Sequence, residues 1–269
     1  MNENPAQLIR DYPELLRMGG IYFFGFLLIA WFGWQRVFQR HREGTLRQME
    51  GVPFPLPFSL GLGFFLILLS VLFWVRGSMA MICAVIGYFF LMHQTGRKGL
   101  TVLGLDRYSL SKILCAAMGL TAIVFAPAYF LSWVNGLLCL VFNIKDLAQP
   151  LIFEFLKMTG TVSILSFIAL AVIAAPVTEE ILFRGLLYPV LRDRFGIKIA
   201  VGVSAILFGL AHVHFPTFLP LTFLGIVLAL SYEFSGSLLL SICIHALFNL
   251  FTVINLLLLK PYLSQILHL

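Results

Sequence analysis

Residues 161–177, TVSILSFIALAVIAAPV, form an uncharged and almost wholly apolar run that is followed at once by TEEILFRGLLY at 178–188. A run of this length meets the roughly 17–25 residues that a helix needs to cross the hydrocarbon core of a bilayer. Two glutamates and an arginine directly after it are unusual, because charged side chains are costly in a membrane and tend to mark functional positions. This stretch predicts a membrane helix that carries a polar site.

The rest of the chain has the same apolar character. Of 269 residues, 60% are hydrophobic and 11% are charged, against roughly 25% charged residues in a soluble domain. Apolar runs long enough to span a bilayer recur near 19–35, 54–75, 77–94, 113–135, 160–177, 197–214, 216–232 and 237–258. We therefore predict an all-α fold, a polytopic transmembrane helical bundle of about eight spans.

The positive charge of the chain bears on its topology. A formal net charge of +6 would suggest nucleic acid in a soluble protein, but in a membrane protein the excess usually lies in cytoplasmic loops. We therefore expect the lipid bilayer and no nucleic acid as a partner. Lysine and arginine cluster in 36–47, 97–112 and 184–198, which are alternate loops in an eight-span count. Their positions predict both termini outside and these three segments in the cytoplasm.

The two glutamates are predicted to have different roles. On a helix, Glu180 and Arg184 lie four residues apart on one face and can form an ion pair. Glu179 is about 100° further around the helix and lacks that partner. Glu180 is then a neutralised structural carboxylate, and Glu179 is an available base. The alternative is an ordinary Glu–Arg pair at a helix start near the interface, with Thr178 as its cap.

Polar side chains also interrupt two later predicted spans, 197–214 and 237–258. His212 follows Phe208 by one turn near the end of its span, and His245 and Asn249 lie mid-span, where a spacing of four places both on one face. A lone membrane histidine is more often a hydrogen-bond partner between helices than a catalyst. Polar positions on three of the last four spans are more than packing requires. They predict a shared site or a water-filled cavity.

These residue types can together hydrolyse an acyl bond. Hydrolysis needs a base that activates water and donors that stabilise the oxyanion. Glu179 with His212 can bind and deprotonate a water, while an N–H of His245 and the amide of Asn249 can supply the donors. Every role then has an occupant without a nucleophilic serine or cysteine. The pattern predicts an enzyme that hydrolyses peptide bonds inside the membrane.

Three short motifs occur in order along the last four spans: Glu-Glu-x-x-x-Arg at Glu179, Glu180 and Arg184, Phe-x-x-x-His at Phe208 and His212, and His-x-x-x-Asn at His245 and Asn249. In this order and setting they resemble the CAAX protease and bacteriocin-processing family of intramembrane endopeptidases, which includes the type II CAAX prenyl endopeptidases. The resemblance covers about residues 178–251. Members act on prenylated C-termini, on peptide precursors or on other membrane proteins, and some are inactive relatives with interaction roles.

The resemblance implies a role for each motif residue: Glu179 and His212 activate the water, His245 and Asn249 form the oxyanion site, and Glu180, Arg184 and Phe208 support the geometry. It implies a glutamic-type endopeptidase whose substrate is a membrane-embedded or lipid-modified protein or peptide. It also implies a site that opens toward the cytoplasm, which agrees with the basic segment 184–198.

A metal-dependent protease is one alternative, because Glu179, His212 and His245 are the ligand types of some hydrolytic zinc sites. His214 could add a fourth ligand, although its place beside a proline indicates a loop. The chain has no His-Glu-x-x-His sequence and no obvious carboxylates to orient these histidines. We therefore predict no cofactor, with a divalent metal as the alternative.

A serine hydrolase, a transporter and an inactive scaffold are the competing classes of protein. Ser204 with His245 could mimic a serine–histidine dyad, but a small residue at a helix contact explains Ser204 better. A transporter would more often show inverted repeats, and none is found in the sequence. A catalytically inactive scaffold of the same family remains the main rival to an enzyme.

The chain is divided, in this interpretation, into N-terminal membrane helices at 1–160, a protease core at 161–258 and a short tail at 259–269. One apolar run is ambiguous, because 113–143 contains Pro127 and an Asn135-Gly136 pair. At about 46 Å it is longer than the bilayer core. We predict for it a kinked helix followed by a re-entrant or interfacial piece.

Overall fold

The computed structural model describes residues 58–74, 85–88, 108–144 and 150–266. Within these residues the chain is almost entirely helical and contains no β-strand, which confirms the all-α prediction. The helices are α1 (Phe58–Trp74), α2 (Leu110–Val141), α3 (Pro150–Lys157), α4 (Thr161–Phe195), α5 (Ile197–Ala211), α6 (Phe218–Ser235) and α7 (Leu238–Ile266), with a 3₁₀ turn at Phe215–Thr217. The span expected at 19–35 and most of that at 77–94 lie outside the described residues.

Several helices have the length and composition of membrane spans. In the described part of the chain these are Leu110–Cys139, Thr161–Phe195, Phe215–Ser235 and Leu238–Pro261, while Ser59–Leu68 and Ile197–Ala211 are apolar but shorter. Large apolar side chains such as Val162, Leu258 and Trp133 remain mostly exposed. Exposed apolar surfaces of this kind are stable in contact with lipid rather than in contact with water. The described residues thus form the helical bundle of an integral, polytopic membrane protein.

Helix α4 continues well past the position where the sequence predicted its end. It is α-helical at Thr161–Ala169, Ala175–Glu180 and Tyr188–Phe195, with π-helical turns at Leu170–Ala174 and Ile181–Leu187. The predicted basic loop over 184–198 is therefore wrong, because only Gly196, with φ of 80°, separates α4 from α5. Arg184 and Arg192 remain inside the helix because they pair with Glu180 and Glu233 within the bundle. Turns of the π type are frequent at functional sites.

Helix α2 is a single helix of 32 residues that includes Pro127. The predicted re-entrant piece is wrong, because the polar Asn135 is satisfied by a neighbouring chain segment rather than by a break in the helix. The Asn135 amide donates to the Phe215 carbonyl at 2.7 Å and accepts from the Leu219 backbone N–H at 3.4 Å. These bonds fasten α2 to the start of α6.

The core surrounds the C-terminal half of α4, where residues 181–191 are all buried. Phe183 packs edge-on against Phe65 of α1 and against Phe208 of α5, with ring centres 5.5 and 5.2 Å apart. Helices α5 and α6 approach closely at Gly225, where a Cβ atom would lie 2.9 Å from the Cα of Ala205. Small residues at such crossings allow membrane helices to pack backbone to backbone. This contact sets the position of α5, which carries the second motif.

Candidate active site

Three of the four residues that were predicted to activate water or to stabilise the oxyanion meet at one carboxylate oxygen. Oε2 of Glu179 lies 3.8 Å from Nε2 of His212 and 3.8 Å from Nε2 of His245. Helix α4 supplies the glutamate, the first residue after α5 supplies one imidazole, and the first third of α7 supplies the other. The side chains of Glu179 and His212 are 24% and 26% exposed, against 3% for His245. The site is therefore reached from the side of Glu179 and His212.

The predicted ion pair between Glu180 and Arg184 is present and fully buried. An Arg184 nitrogen donates to Glu180 Oε1 at 2.8 Å, and neither side chain is exposed. A second Arg184 nitrogen donates to the carbonyl of Gly225 on α6 at 2.9 Å. The guanidinium carbon lies 4.6 Å from the centre of the Phe208 ring. Arg184 thus joins α4, α5 and α6 beneath the site.

His212 is held in one orientation by its own helix. Its Nδ1 lies 2.9 Å from the carbonyl oxygen of Phe208, and a carbonyl can only accept, so Nδ1 carries the hydrogen. In the neutral ring, Nε2 then bears the lone pair that faces Glu179. The Phe208 ring also packs edge-on against both His212 and His245, with centres 5.1 and 5.6 Å away. Phe208 therefore supports both imidazoles.

His245 is oriented by the neighbouring glutamate of the pair. Its Nδ1 donates to Oε1 of Glu180 at 3.0 Å, so Nε2 again faces Glu179. The expectation that the chain lacks carboxylates to orient these histidines is therefore wrong for His245. The sequence could not reveal this contact, because Glu180 and His245 are 65 residues apart. With Nδ1 engaged, any N–H that His245 offers to a substrate must come from Nε2.

Asn249 lies one turn after His245 on α7, as predicted. Its amide nitrogen donates to the carbonyl oxygen of Ala171 on α4 at 2.9 Å. An asparagine amide has two N–H donors, so one remains for another acceptor. The side chain is partly buried.

Ser204 and His214, the residues of the serine-dyad and four-ligand metal hypotheses, lie apart from this constellation. Ser204 is fully buried on α5 and donates to the Val201 carbonyl of its own helix at 3.3 Å, as expected for a small residue at a helix contact. His214 lies in the loop after α5, as predicted, where its Nδ1 is 3.1 Å from the Thr217 hydroxyl. Within the described ranges, no group of three or more His, Cys, Asp and Glu side chains is arranged to hold a metal ion. The metal-dependent alternative stays a prediction.

A second buried polar cluster was missed in the sequence. The Tyr188 hydroxyl donates to Oε2 of Glu233 at 2.9 Å, and Nε of Arg192 lies 3.5 Å from the same oxygen. Tyr188 and Arg192 follow Arg184 by one and two turns on α4, opposite the end of α6. Glu233 is an acidic residue between apolar runs, so the criterion that singled out Glu179 would have found it. The cluster neutralises a carboxylate that is 2% exposed.

The site does not adjoin the basic residues near the end of α4. His212 follows the last residue of α5, whereas Arg194 and Lys198 flank Gly196 at its first residue. The 15 residues of α5 separate these ends by about 22 Å. The expected agreement between the basic segment and the opening of the site is therefore wrong.

The fold and the site together define a polytopic membrane protein in which a glutamate and two histidines meet within a helical bundle, with an asparagine one turn further along the helix that carries one of the histidines. Residues 161–251 match the model of the family described as type II CAAX prenyl endopeptidase Rce1-like. The match runs from the first residue of α4 into α7 and includes all three motifs. It confirms the predicted resemblance to the CAAX protease family of intramembrane endopeptidases over this part of the chain. Comparisons with curated proteins and with solved structures found no match.

Proposed function

We propose that the chain is a glutamic-type intramembrane endopeptidase. The observation that carries this proposal is the meeting of Glu179 Oε2 with the Nε2 atoms of His212 and His245, each at 3.8 Å. At this distance a direct hydrogen bond is too long, but one water about 2.8 Å from both Glu179 and His212 can donate to each of them. Glu179 Oε2 is buried and makes no hydrogen bond among the described residues. It therefore has the capacity to accept a proton.

In the proposed reaction, the water between Glu179 and His212 attacks the carbonyl carbon of the scissile peptide bond. Its proton passes to Glu179 as the new C–O bond forms and the carbonyl becomes an oxyanion. The proton then passes to the peptide nitrogen as the C–N bond breaks. Hydrolysis releases a new carboxyl terminus and a new amino terminus, and Glu179 returns to its carboxylate form.

The oxyanion is stabilised in this proposal by Asn249 and His245. Asn249 offers the N–H that is not bonded to Ala171, and His245 offers Nε2–H. This role requires that the His245 ring carry a proton on both nitrogens, because Nδ1–H is engaged by Glu180. With that proton, Glu179, Glu180, Arg184 and His245 have no net charge together. A membrane interior tolerates such a state best.

The proposed substrate is a membrane-embedded or lipid-modified protein or peptide. The support for this is the position of the site: Glu179 and His245 lie within helices long and apolar enough to cross a bilayer. A soluble peptide would have to leave water to reach them. A substrate that is already anchored in the bilayer is concentrated beside the bundle and needs to move only within the membrane.

The proposal predicts that the membrane proteome of cells with the wild-type chain contains cleaved ends that depend on Glu179. We would compare terminal peptides from cells that carry the wild type, Glu179→Gln or Glu154→Gln at equal, folded abundance. Glu154 is exposed on α3, so its variant controls for the loss of a carboxylate. Specific termini should vanish only with Glu179→Gln. If all three profiles match while a deletion phenotype is still rescued, the chain is a scaffold instead.

We propose, on the resemblance alone, that the site opens toward the cytoplasm. Lys157 lies near the start of α4 and Lys260 near the end of α7, so both are on the same side of the membrane as the site. Lys198 lies at the start of α5, on the opposite side of the membrane. In a cysteine-free background, an impermeant maleimide applied from outside should then label Lys198→Cys and leave Lys157→Cys unlabelled. The reverse pattern would place the opening outside and would leave the proteolytic proposal intact.

A further inference from the structure

The amide of Asn249 is held by a backbone carbonyl that a proline leaves without its helical donor. In the π-helical turn at Leu170–Ala174, the N–H of Ala175 bonds five residues back to Leu170. The next donor in this register would be residue 176, whose partner would be the Ala171 carbonyl. Residue 176 is a proline and has no N–H. The Ala171 oxygen accepts from Asn249 instead.

An unsatisfied backbone carbonyl is costly in a membrane because no water can replace the lost donor. Helix α4 must therefore obtain a donor for Ala171 from a neighbouring helix, and α7 provides it. Further along α4, Glu180 accepts from His245, one turn before Asn249 on α7. Helix α4 thus holds both proposed oxyanion donors, one by a side chain and the other by a released carbonyl.

We propose that Pro176 is a positioning residue for Asn249. By withholding its own N–H, it reserves the Ala171 carbonyl for one hydrogen of the Asn249 amide and so fixes the amide plane. The second hydrogen of the amide then has a defined direction toward the oxyanion. This inference rests on the proposed function, since it assigns a consequence to the oxyanion role of Asn249.

A purely structural role for Pro176 makes a different prediction. If the proline acted only through the shape of α4, its replacement would change the rate whether or not Asn249 is present. Helix α4 offers a matched control in Pro189, which follows the second π-helical turn. The N–H of Tyr188 bonds five residues back to Phe183, so in the same register the missing N–H of Pro189 would have bonded to the carbonyl of Arg184. Pro189 therefore releases a carbonyl that Asn249 does not use.

The kinetic test is a double-mutant cycle on a cleaved substrate, with Pro176→Ala, Asn249→Ala and the double variant. Alanine restores the N–H at residue 176, which competes for the Ala171 carbonyl. We expect Pro176→Ala to lower kcat roughly 10-fold with little change in KM, less than the about 10²–10³-fold loss when an oxyanion donor is removed. In the Asn249→Ala background it should have no further effect, whereas Pro189→Ala should have the same effect in both backgrounds. An equal loss from Pro176→Ala in both backgrounds overturns the inference.

A second readout does not depend on activity. In protein labelled with ¹⁵N-asparagine, Asn249→Asp identifies the Asn249 side-chain signals by their loss. Pro176→Ala should shift these signals and speed their hydrogen exchange, while those of buried Asn135 stay unchanged and report an intact fold. If Glu179→Gln abolishes cleavage but Pro176→Ala leaves the Asn249 signals unchanged, the positioning inference fails and the proposed function stands. If Pro176→Ala moves the Asn249 signals but the wild type cleaves no substrate, the contact between the two residues stands and the proposed function fails.

Discussion

Nδ1 of His245 lies 3.0 Å from Oε1 of Glu180, so the glutamate beside the proposed base orients the histidine that faces that base. The same Glu180 oxygen accepts from Arg184 at 2.8 Å. Oε2 of each glutamate is buried and makes no hydrogen bond within the described residues, but Oε2 of Glu179 lies 3.8 Å from the Nε2 atoms of both His212 and His245. The two adjacent carboxylates thus have different surroundings. Glu180 accepts hydrogen bonds from Arg184 and His245, whereas Glu179 faces the imidazoles of His212 and His245. Their replacements should have different consequences.

We predict that Glu180→Gln destabilises the fold and that Glu179→Gln does not. The amide at 180 would leave the buried Arg184 charge uncompensated, and loss of one partner of a buried pair costs about 3–5 kcal/mol of unfolding free energy. Glutamine at 179 removes no hydrogen bond, so its change should stay within about 0.5 kcal/mol. Reversible unfolding in mixed micelles measures both. Equal destabilisation by the two variants would contradict the division of roles.

The atom of His212 that matters for cleavage can be tested by removing part of its side chain. We predict that His212→Asn retains stability, because its amide nitrogen can replace Nδ1 as donor to the Phe208 carbonyl, but loses about 10²–10⁴-fold in kcat because it has no atom at Nε2. His212→Ala should lose as much activity and also some stability. The measurements are the cleavage kinetics and the thermal unfolding of the two variants. If His212→Asn cleaves at the wild-type rate, Nε2 has no part in water activation.

The positions of the motif residues within their spans could be predicted because helical periodicity is local. His245 and Asn249 are four residues apart and therefore share a face of α7. Glu179 is one residue from Glu180 and five residues from Arg184, so it lies on a different face of α4 from that pair. The end of α5 was also predicted within a few residues. What the sequence could not supply were contacts between distant segments. The bonds from Asn249 to Ala171 and from Arg184 to Gly225 end on backbone carbonyls, which have no sequence signature.

The errors in the predicted spans have a common physical cause. Charged and polar residues were taken to mark the ends of membrane helices, because isolated charges are costly in lipid. Arg184, Glu233 and Asn135 are instead satisfied by partners from other helices. Whether a polar residue ends a span depends on tertiary partners, and these are not visible in a single sequence.

Close packing of α5 and α6 should be essential for the geometry of Arg184. A Cβ at Gly225 would lie 2.9 Å from the Cα and 3.1 Å from the Cβ of Ala205. We predict that Gly225→Ala lowers the free energy of unfolding by about 1–3 kcal/mol, because the two backbones must separate. Gly202→Ala is the matched control on α5, since a Cβ at that position would meet no atom within 4 Å, and it should be neutral or stabilising by up to about 1 kcal/mol. Comparable losses in both variants would show that the close approach is unimportant.

Metal removal distinguishes the two forms of the proposed protease. Glu179, His212 and His245 are the ligand types of some hydrolytic zinc sites, but within the described residues no such trio is arranged to hold a metal ion. We predict that cleavage is unchanged after exhaustive chelation, because Glu179 can accept the proton of a water without help from a metal. The measurement compares cleavage rates and zinc content before and after chelation. Loss of cleavage together with loss of zinc, and recovery of both when zinc is returned, would establish the metal-dependent form instead.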